Sequence, residues 1–582
     1  MTQVKRKFFS SFASLNLTQF FTAFNDNLYK LLLIFFLISI KGERESNTIL
    51  ATAGAIFVIP FIAFASLAGT LADRFSKRSI IYFTRFMEIL TMLFGVAVFF
   101  FQSTIGGYCV LFLMATHSAL FSPSKFGIIP EIVSKERISN CNGILTATTY
   151  LAIILGTFFA SFVTEVTHKN FVSAGLFCVI VSMLGLVSSL GIQKTYPQAE
   201  KKKVSLRFIS KIIQTLDRAR QTRYLLITLI FGSYFLFIGA YTQLNIIPFA
   251  LQSLNLSDVH GGYLFLMTAL GIGLGSFCAG KISGKEVEIG FIPLASFGIT
   301  ICFMLLYFFQ HSFFVVVPIL IGVGFFGGFY IVPIDAFIQL ASPDENRGEN
   351  LATANFLSFL GVILASGFLA LLGNVFSLSA ARGFFIIGII TFFIGIFLFL
   401  LCADQVVRLL VAKCALTMGR VQVVGRKKIR AQVPQLLVAP RISWLDTLIV
   451  MAILPRMVRY IVPIRPKRRP RTFLYYWLRL IPVDIHHFSP MGEPALEAIR
   501  GELDKGQTVC LMQPVMLPSG SLAEWTERLK GLLNDIPVEI IPIHIHKGPC
   551  PTRGNRLYQL WSLLQAPIKV SYGDFRSKQN NV

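Results

Sequence analysis

The sequence predicts an all-α membrane protein of twelve spanning helices, six plus six, followed by a smaller α/β domain. Three observations carry this. The 582 residues are 54% hydrophobic and 14% charged, with a mean hydropathy of +0.67, too little charge to cover a soluble surface of that size. Twelve apolar runs of about 20 residues, the length that crosses a hydrocarbon core, fall into two groups around one basic gap. Beyond residue 402 the apolar runs become short and interrupted, as strands of a soluble domain are.

In chain order, the first six runs lie near 12–40, 49–72, 79–102, 105–122, 143–166 and 170–192, giving a first half over 1–193. A polar stretch over 194–223 follows, carrying Lys201, Lys202, Lys203, Arg207, Lys211, Arg218 and Arg220. Six more runs, near 224–250, 259–282, 289–309, 312–338, 351–373 and 379–402, give a second half over 224–402. The 57 phenylalanines and 44 glycines suit lipid-facing bulk and close helix contact. Gly271, Gly273 and Gly275 imitate a nucleotide loop, but they sit in a span with no strand before them, so helix packing explains them, as it does Gly324 and Gly328.

Cations concentrate on one side of these spans: Lys5, Arg6, Lys7, Arg74, Lys77, Arg78, Lys135, Arg137, the central stretch, Lys281, Lys285 and Arg347. The other side holds Lys41, Arg44, Lys169 and Arg382. The positive-inside rule then places both termini and the last domain in the cytoplasm. The apolar run after the basic start is too long for a cleavable signal. Nine scattered cysteines form no C-x-x-C pair, so neither a metal nor another cofactor is implied. The net charge of +24 comes without a nucleic-acid recognition motif and is better matched to anionic headgroups.

Several charged residues lie inside the apolar runs or at their ends. Asp26 lies in the first run with Lys30 one turn on. A charge in hydrocarbon is unfavourable and faces a cavity or a partner, and an i, i+4 pair could neutralise itself. Arg85 and Glu88 pair similarly at i, i+3. Lys125 and Glu131 stand at the end of the fourth run, and Asp335 and Gln339 share a face of the tenth. Asp26, Lys30, Lys125, Glu131, Asp335 and Gln339 are therefore candidates for a solute pathway or its gate, with structural pairing the competing reading at each.

Between the second and third runs stands Gly69-Thr70-Leu71-Ala72-Asp73-Arg74-Phe75-Ser76-Lys77-Arg78. It predicts a tight turn in which Asp73 can face a helix N-terminus and pair with the nearby cations, a latch that is made and broken as two halves rock. It resembles the major facilitator signature G-x-x-x-D-R-x-G-R-K, with Ser76 where glycine is usual. The resemblance implies a gating role for Gly69, Asp73, Arg74, Lys77 and Arg78. A finer resemblance, over most of 12–402, is to bacterial lysophospholipid transporters of that superfamily. It rests on Ala23-Phe24-Asn25-Asp26-Asn27, on Leu71–Lys77, on Phe121-Ser122-Pro123-Ser124-Lys125-Phe126-Gly127-Ile128-Ile129-Pro130-Glu131, on Asn142-Gly143 and on Gly327-Gly328-Phe329-Tyr330-Ile331-Val332-Pro333. It implies a twelve-helix major facilitator fold in the inner membrane. It also implies that lysophospholipid, chiefly lysophosphatidylethanolamine, is flipped to the cytoplasmic leaflet. The resembled family tends to a neutral residue at Asp335.

Residues 403–582 carry 26 Lys/Arg against 12 Asp/Glu. Gln435–Ala439, Val509–Met512 and Val538–Ile543 read as strands, Pro494–Lys505 and Leu522–Leu533 as helices, and Pro463–Arg471 as a basic loop. The stretch about 420–548 resembles the lysophospholipid acyltransferases of the glycerophosphate acyltransferase family. Leu436–Asp446 occupies the place of their N-H-x-S-x-x-D motif, Ile481-Pro482-Val483-Asp484 that of the middle motif, and Val509–Pro514 then Ser519–Leu522 that of V-x-I-F-P-E-G followed by G-S-L. The family's general-base histidine is Arg441 here, and a guanidinium stays protonated and cannot act as a base. Gln513 and Pro514 replace the Glu-Gly pair, so the sequence argues against acyl transfer. Ser443, Asp446 and Gly520 remain to support structure, and any reacylation would need a separate acyltransferase or acyl carrier protein ligase. An active acyltransferase and a facilitator for another small solute are the alternative readings.

Overall fold

The computed structural model describes residues 2–42, 45–199, 208–222, 224–256, 258–284, 287–417, 421–424, 435–440, 450, 458–464, 481–484, 499–503, 508–513, 538–547 and 568–572. It divides into two compact units, Met1–Ile396 and Phe397–Val582.

The first unit is helical. Its first half comprises α1 (Thr2–Lys41), α2 (Ser46–Ala63), α3 (Ala65–Arg74), α4 (Lys77–Phe100), α5 (Thr104–Gly127), the single-turn α6 (Ile129–Ile132), α7 (Ile138–Val166) and α8 (Phe171–Ser189). A linker helix α9 (Phe208–Gln221) leads to α10 (Leu225–Leu254), α11 (Asp258–Ser283), α12 (Phe291–Phe308), α13 (Phe313–Ala341), α14 (Arg347–Ala370) and α15 (Ala380–Leu401). Among the described residues, eleven helices are long and apolar enough to cross a membrane, and α2 with α3, bent by 47°, makes a twelfth when the pair is counted as one span. α2 carries Pro60 in its last turn, and the N–H of Phe64, at the break, bonds back to Pro60 O at 2.9 Å. Side-chain caps start two of the spans: Ser103 Oγ accepts from Gly106 N ahead of α5, and Asn170 Oδ1 from Ser173 N ahead of α8.

The helices outrun the apolar segments at one end of the bundle. α7 begins at Ile138, α13 runs to Ala341 and α14 begins at Arg347. The added turns are polar yet buried, with Ser139, Asn142, Gln339, Arg347 and Glu349 all packed inside. The basic gap also holds the amphipathic α9, which buries Ile212, Thr215 and Ala219 at i, i+3 and i+7.

Glycine lets several helices meet backbone to backbone. A Cβ on Gly143 of α7 would lie 2.8 Å from the Cα of Gly280 on α11, so the two halves touch there with no side chain between them. Within the second half, Gly271, Gly275, Gly324 and Gly328 hold α11 against α13 in the same way.

The second unit contains α16 (Ala403–Thr417) and the strands β1 (Val421–Val424), β2 (Gln435–Pro440), β3 (Val458–Ile464), β4 (Ile481–Asp484), β5 (Thr508–Gln513), β6 (Glu539–Lys547) and β7 (Ile568–Tyr572). They form one sheet in the order β1-β7-β6-β2-β5-β3-β4. β6 and β7 are antiparallel and the other pairs are parallel. The parallel register aligns Pro440 with Gln513 and Ile464 with Asp484, so the middle-motif strand and the segment leading into Arg441 end at the same carboxyl edge. Arg441, Ser443, Asp446 and Gly520 lie outside the described residues. So do Leu522–Leu533, most of Pro463–Arg471, and the cations Arg44, Lys201, Lys202, Lys203, Arg207 and Lys285. Of the expected helix Pro494–Lys505, residues 499–503 are described and helical.

Candidate functional site

The signature loop joins the two halves. Asp73, fully buried at the end of α3, accepts Gly348 N at 2.6 Å on Oδ1 and Glu349 N at 3.2 Å on Oδ2, two of the free amides that open α14. A carboxylate there also meets the positive end of the α14 dipole. Gly69, one turn earlier, permits this approach: a Cβ on it would lie 2.7 Å from Ala352 Cβ and 2.9 Å from Gly348 O. Lys211 from α9 reaches both halves at once, with Nζ 2.5 Å from Thr70 Oγ1 and 2.8 Å from Glu349 Oε1. Arg218 adds a second cation on Glu349 at 2.9 Å.

The other signature residues act within the first half. Buried Lys77 pairs with Glu131 at 2.5 Å. Burial pushes the Glu131 carboxyl above its ordinary range, and Lys77 draws it part of the way back. Arg78 Nε donates to Tyr82 Oη at 2.7 Å, and Arg74 lies over the Phe75 ring. Ser76, in the place of the usual glycine, bonds Thr195 Oγ1 at 3.0 Å.

A second polar layer crosses between the halves above this latch. Asn142 of α7 and Gln339 of α13 exchange two amide hydrogen bonds, at 2.9 and 2.8 Å, with both side chains buried. Asn355 Nδ2 of α14 donates to Ser122 Oγ of α5 at 2.8 Å. Phe61 of α2 stacks on Phe359 of α14 with centroids 4.0 Å apart. These contacts close one end of the bundle.

The intramembrane charges fall into two groups. Arg85 and Glu88 pair as expected at i, i+3, and Glu88 also accepts from Asn25 Nδ2 at 2.9 Å. Arg85 further donates to Thr22 and lies 4.3 Å from the centroid of Phe121. Both ring nitrogens of the buried His117 lack a hydrogen-bond partner among the described residues. The second group is half-buried: Asp26, Lys30, Lys125 and Asp335. Asp26 and Lys30 do not form the expected i, i+4 pair. Ser118 of α5 donates to Asp26 Oδ2 at 2.9 Å, and Lys30 lies 5.1 Å over Phe57 of α2, so packing against neighbouring helices overrides the local pair. Lys125 lies 4.4 Å over Phe126 and acts electrostatically on Asp26 and on Asp335 of the opposite half. Glu131 turns to Lys77 and Gln339 to Asn142, so these two belong to the closed end rather than to the charged group.

Sequence marks Asn25 only as part of a motif and Lys211 and Arg218 only as part of a basic stretch, and it does not mark Ser118 or Glu349. Their partners lie 63 to 141 positions away along the chain, beyond any local pattern.

The family model of the Major Facilitator Superfamily matches residues 15–366. The lysophospholipid transporter LplT of Photorhabdus laumondii is 26% identical over 369 residues, covering 60% of this chain and 87% of that one. The protein of the same name from Enterobacter sp. is 28% identical over 370 residues, with the same shares covered. Among solved structures, the human organic anion transporter MFSD10 superposes with a TM-score of 0.54 at 15% identity, over 68% of this chain and 99% of that one. The E. coli fucose:proton symporter FucP gives 0.53 at 14% identity, over 66% and 97%. At these identities the structural likeness establishes the helical transporter fold and nothing about solute.

Proposed function

This chain belongs to the Major Facilitator Superfamily and is a multi-pass membrane transporter, and we propose that its solute is lysophospholipid, chiefly lysophosphatidylethanolamine, moved to the cytoplasmic leaflet of the inner membrane for reacylation. The observation that carries the reading is the 26–28% identity to lysophospholipid transporters across 87% of their length. The half-buried charges in the spans are consistent with it, since a phosphate and an ammonium both need partners in a low-dielectric path. In this reading Asp26, whose buried Oδ1 has no hydrogen-bond partner among the described residues while Oδ2 is held by Ser118, contacts the headgroup. Lys30, Lys125 and Asp335 line its path, and the Asp73 latch with the Asn142–Gln339 pair closes the cytoplasmic end. Both termini are cytoplasmic, as the cation distribution indicates.

The C-terminal unit is, in the same reading, an acyltransferase-like domain without acyl transfer, because Arg441 replaces the base. A separate acyltransferase or acyl carrier protein ligase then completes the repair.

The test is inward movement of labelled lysophosphatidylethanolamine in vesicles containing the full chain, with Asp26→Asn alongside and acylated product followed in the same samples. Movement that is lost in Asp26→Asn, without acylated product, supports the proposal. Absence of movement by well-inserted protein sinks the solute assignment, and protein-dependent acylation sinks the inactive-domain assignment.

A further inference from the structure

We propose that Lys125 and Asp335 select the headgroup together, one from each half, and favour a zwitterion that ends in a primary ammonium. The inference rests on the lysophospholipid reading above and deepens it.

Lys125 belongs to α5 and Asp335 to α13, and both are half-buried. Each acts on the other electrostatically. Neither has an ion-pair partner within 4.0 Å among the described residues. Both stand about one helical turn from a bond that crosses between the halves. Ser122, three residues before Lys125, accepts from Asn355 at 2.8 Å, and Gln339, four residues after Asp335, is bonded to Asn142. The two charges therefore border the seam from opposite sides, close to where it is shut. The ammonium of Lys125 lies 4.4 Å from the centroid of Phe126 and 5.8 Å from that of Phe121, ring faces that hold a cation without neutralising its charge.

Opposite charges set beside one seam, one on each half and not joined in an ion pair, are the complement of a dipole. Phosphoethanolamine is such a dipole: its phosphate meets Lys125, and its ammonium offers Asp335 three N–H donors. The formal charges agree, since Asp26, Lys30, Lys125 and Asp335 sum to zero and Arg85 with Glu88 adds nothing. A headgroup of net charge −1 would bring an uncompensated charge into a low-dielectric site. A choline headgroup offers Asp335 no N–H at all. Because the two residues sit on different halves, a headgroup that spans them also substitutes for their mutual attraction as the seam opens.

The experiment uses the full chain in vesicles and measures inward movement of labelled lysophosphatidylethanolamine, lysophosphatidylglycerol and lysophosphatidylcholine by wild type, Asp335→Asn, Asp335→Glu and Lys125→Gln. Wild type is expected to move the ethanolamine lipid about tenfold faster than the other two, the size of one hydrogen bond to a charged group. Asp335→Asn should bring the three within about twofold of one another, Asp335→Glu should keep the preference, and Lys125→Gln should slow all three. Equal wild-type rates for ethanolamine and glycerol headgroups, or an Asp335→Asn that slows every lipid alike, overturns the inference and leaves lysophospholipid transport standing. Absence of movement of any of the three by wild type overturns the underlying reading and this one with it. Should Asp335→Asn fail to insert, the wild-type rate ratio decides alone.

Discussion

Replacing Asp73 by asparagine should shift the bundle away from its closed form by about 2 kcal/mol. The carboxylate accepts two backbone amides at the head of α14, one on each oxygen. Asparagine keeps one acceptor and loses the other together with the charge. The lost bond to an ionised oxygen accounts for about 1.5–3 kcal/mol, and the lost interaction with the helix dipole for about 0.3–2 kcal/mol. The two overlap, because the dipole is largely the partial charge on those same amides, so about 2 kcal/mol is the better total. That changes the ratio of closed to open forms by about thirtyfold. Spin labels at the exposed Ser79, on α4, and Glu345, just ahead of α14, in a cysteine-free background would report the separation of the two halves at this end. A wild type at one short distance and an Asp73→Asn variant with a second, longer population is the expected result. An unchanged distance distribution would refute the assignment of Asp73 as the tie.

Two further pairs of substitutions test the buried polar contacts. Asn142→Ala and Gln339→Ala should each destabilise the protein by about 1–3 kcal/mol, because each strands a buried amide, while the double variant should cost less than the sum; thermal unfolding of the purified protein gives the coupling, and strict additivity would deny the pair. Arg85→Met leaves Glu88 buried with Asn25 and without its cation, and should destabilise by about 3–5 kcal/mol. Adding Glu88→Gln should recover much of that loss, and no recovery would mean that Arg85 acts through packing on Phe121 rather than through charge.

The spans were legible because hydrocarbon demands long apolar runs, and no other reading accommodates twelve of them. Their ends at the latch were not, because the first turns of α7 and α14 and the last turn of α13 carry Asn142, Glu349 and Gln339, side chains that read as solvent-facing until the opposite half covers them. α9 was hidden for a related reason: Ile212, Thr215 and Ala219 have helical spacing, but Lys211, Arg218 and Arg220 between them dominate the composition. The type of contact made by Asp73 was foreseeable from its place in a tight turn. Its partner, 275 positions on, was not. At Asp26 the local spacing offers a pair with Lys30, but Ser118 supplies a donor from another helix and Lys30 turns to Phe57. In the C-terminal unit the apolar runs at Gln435, Val509 and Val538 each fall on a strand.

The bare contact between Gly143 and Gly280 has a mechanical consequence. Interlocking side chains must climb past one another before two helices can tilt, whereas two glycine backbones present smooth surfaces that roll at nearly constant separation. α7 and α11 therefore supply a bearing, and the α3–α14 contact on the other side of the closed end supplies the catch. A lever with its fulcrum beside one seam converts a small rotation there into a wide parting at the other. In the closed form, then, the Gly143–Gly280 contact is the part of the seam with least to unlock, and the Asp73 tie the part with most.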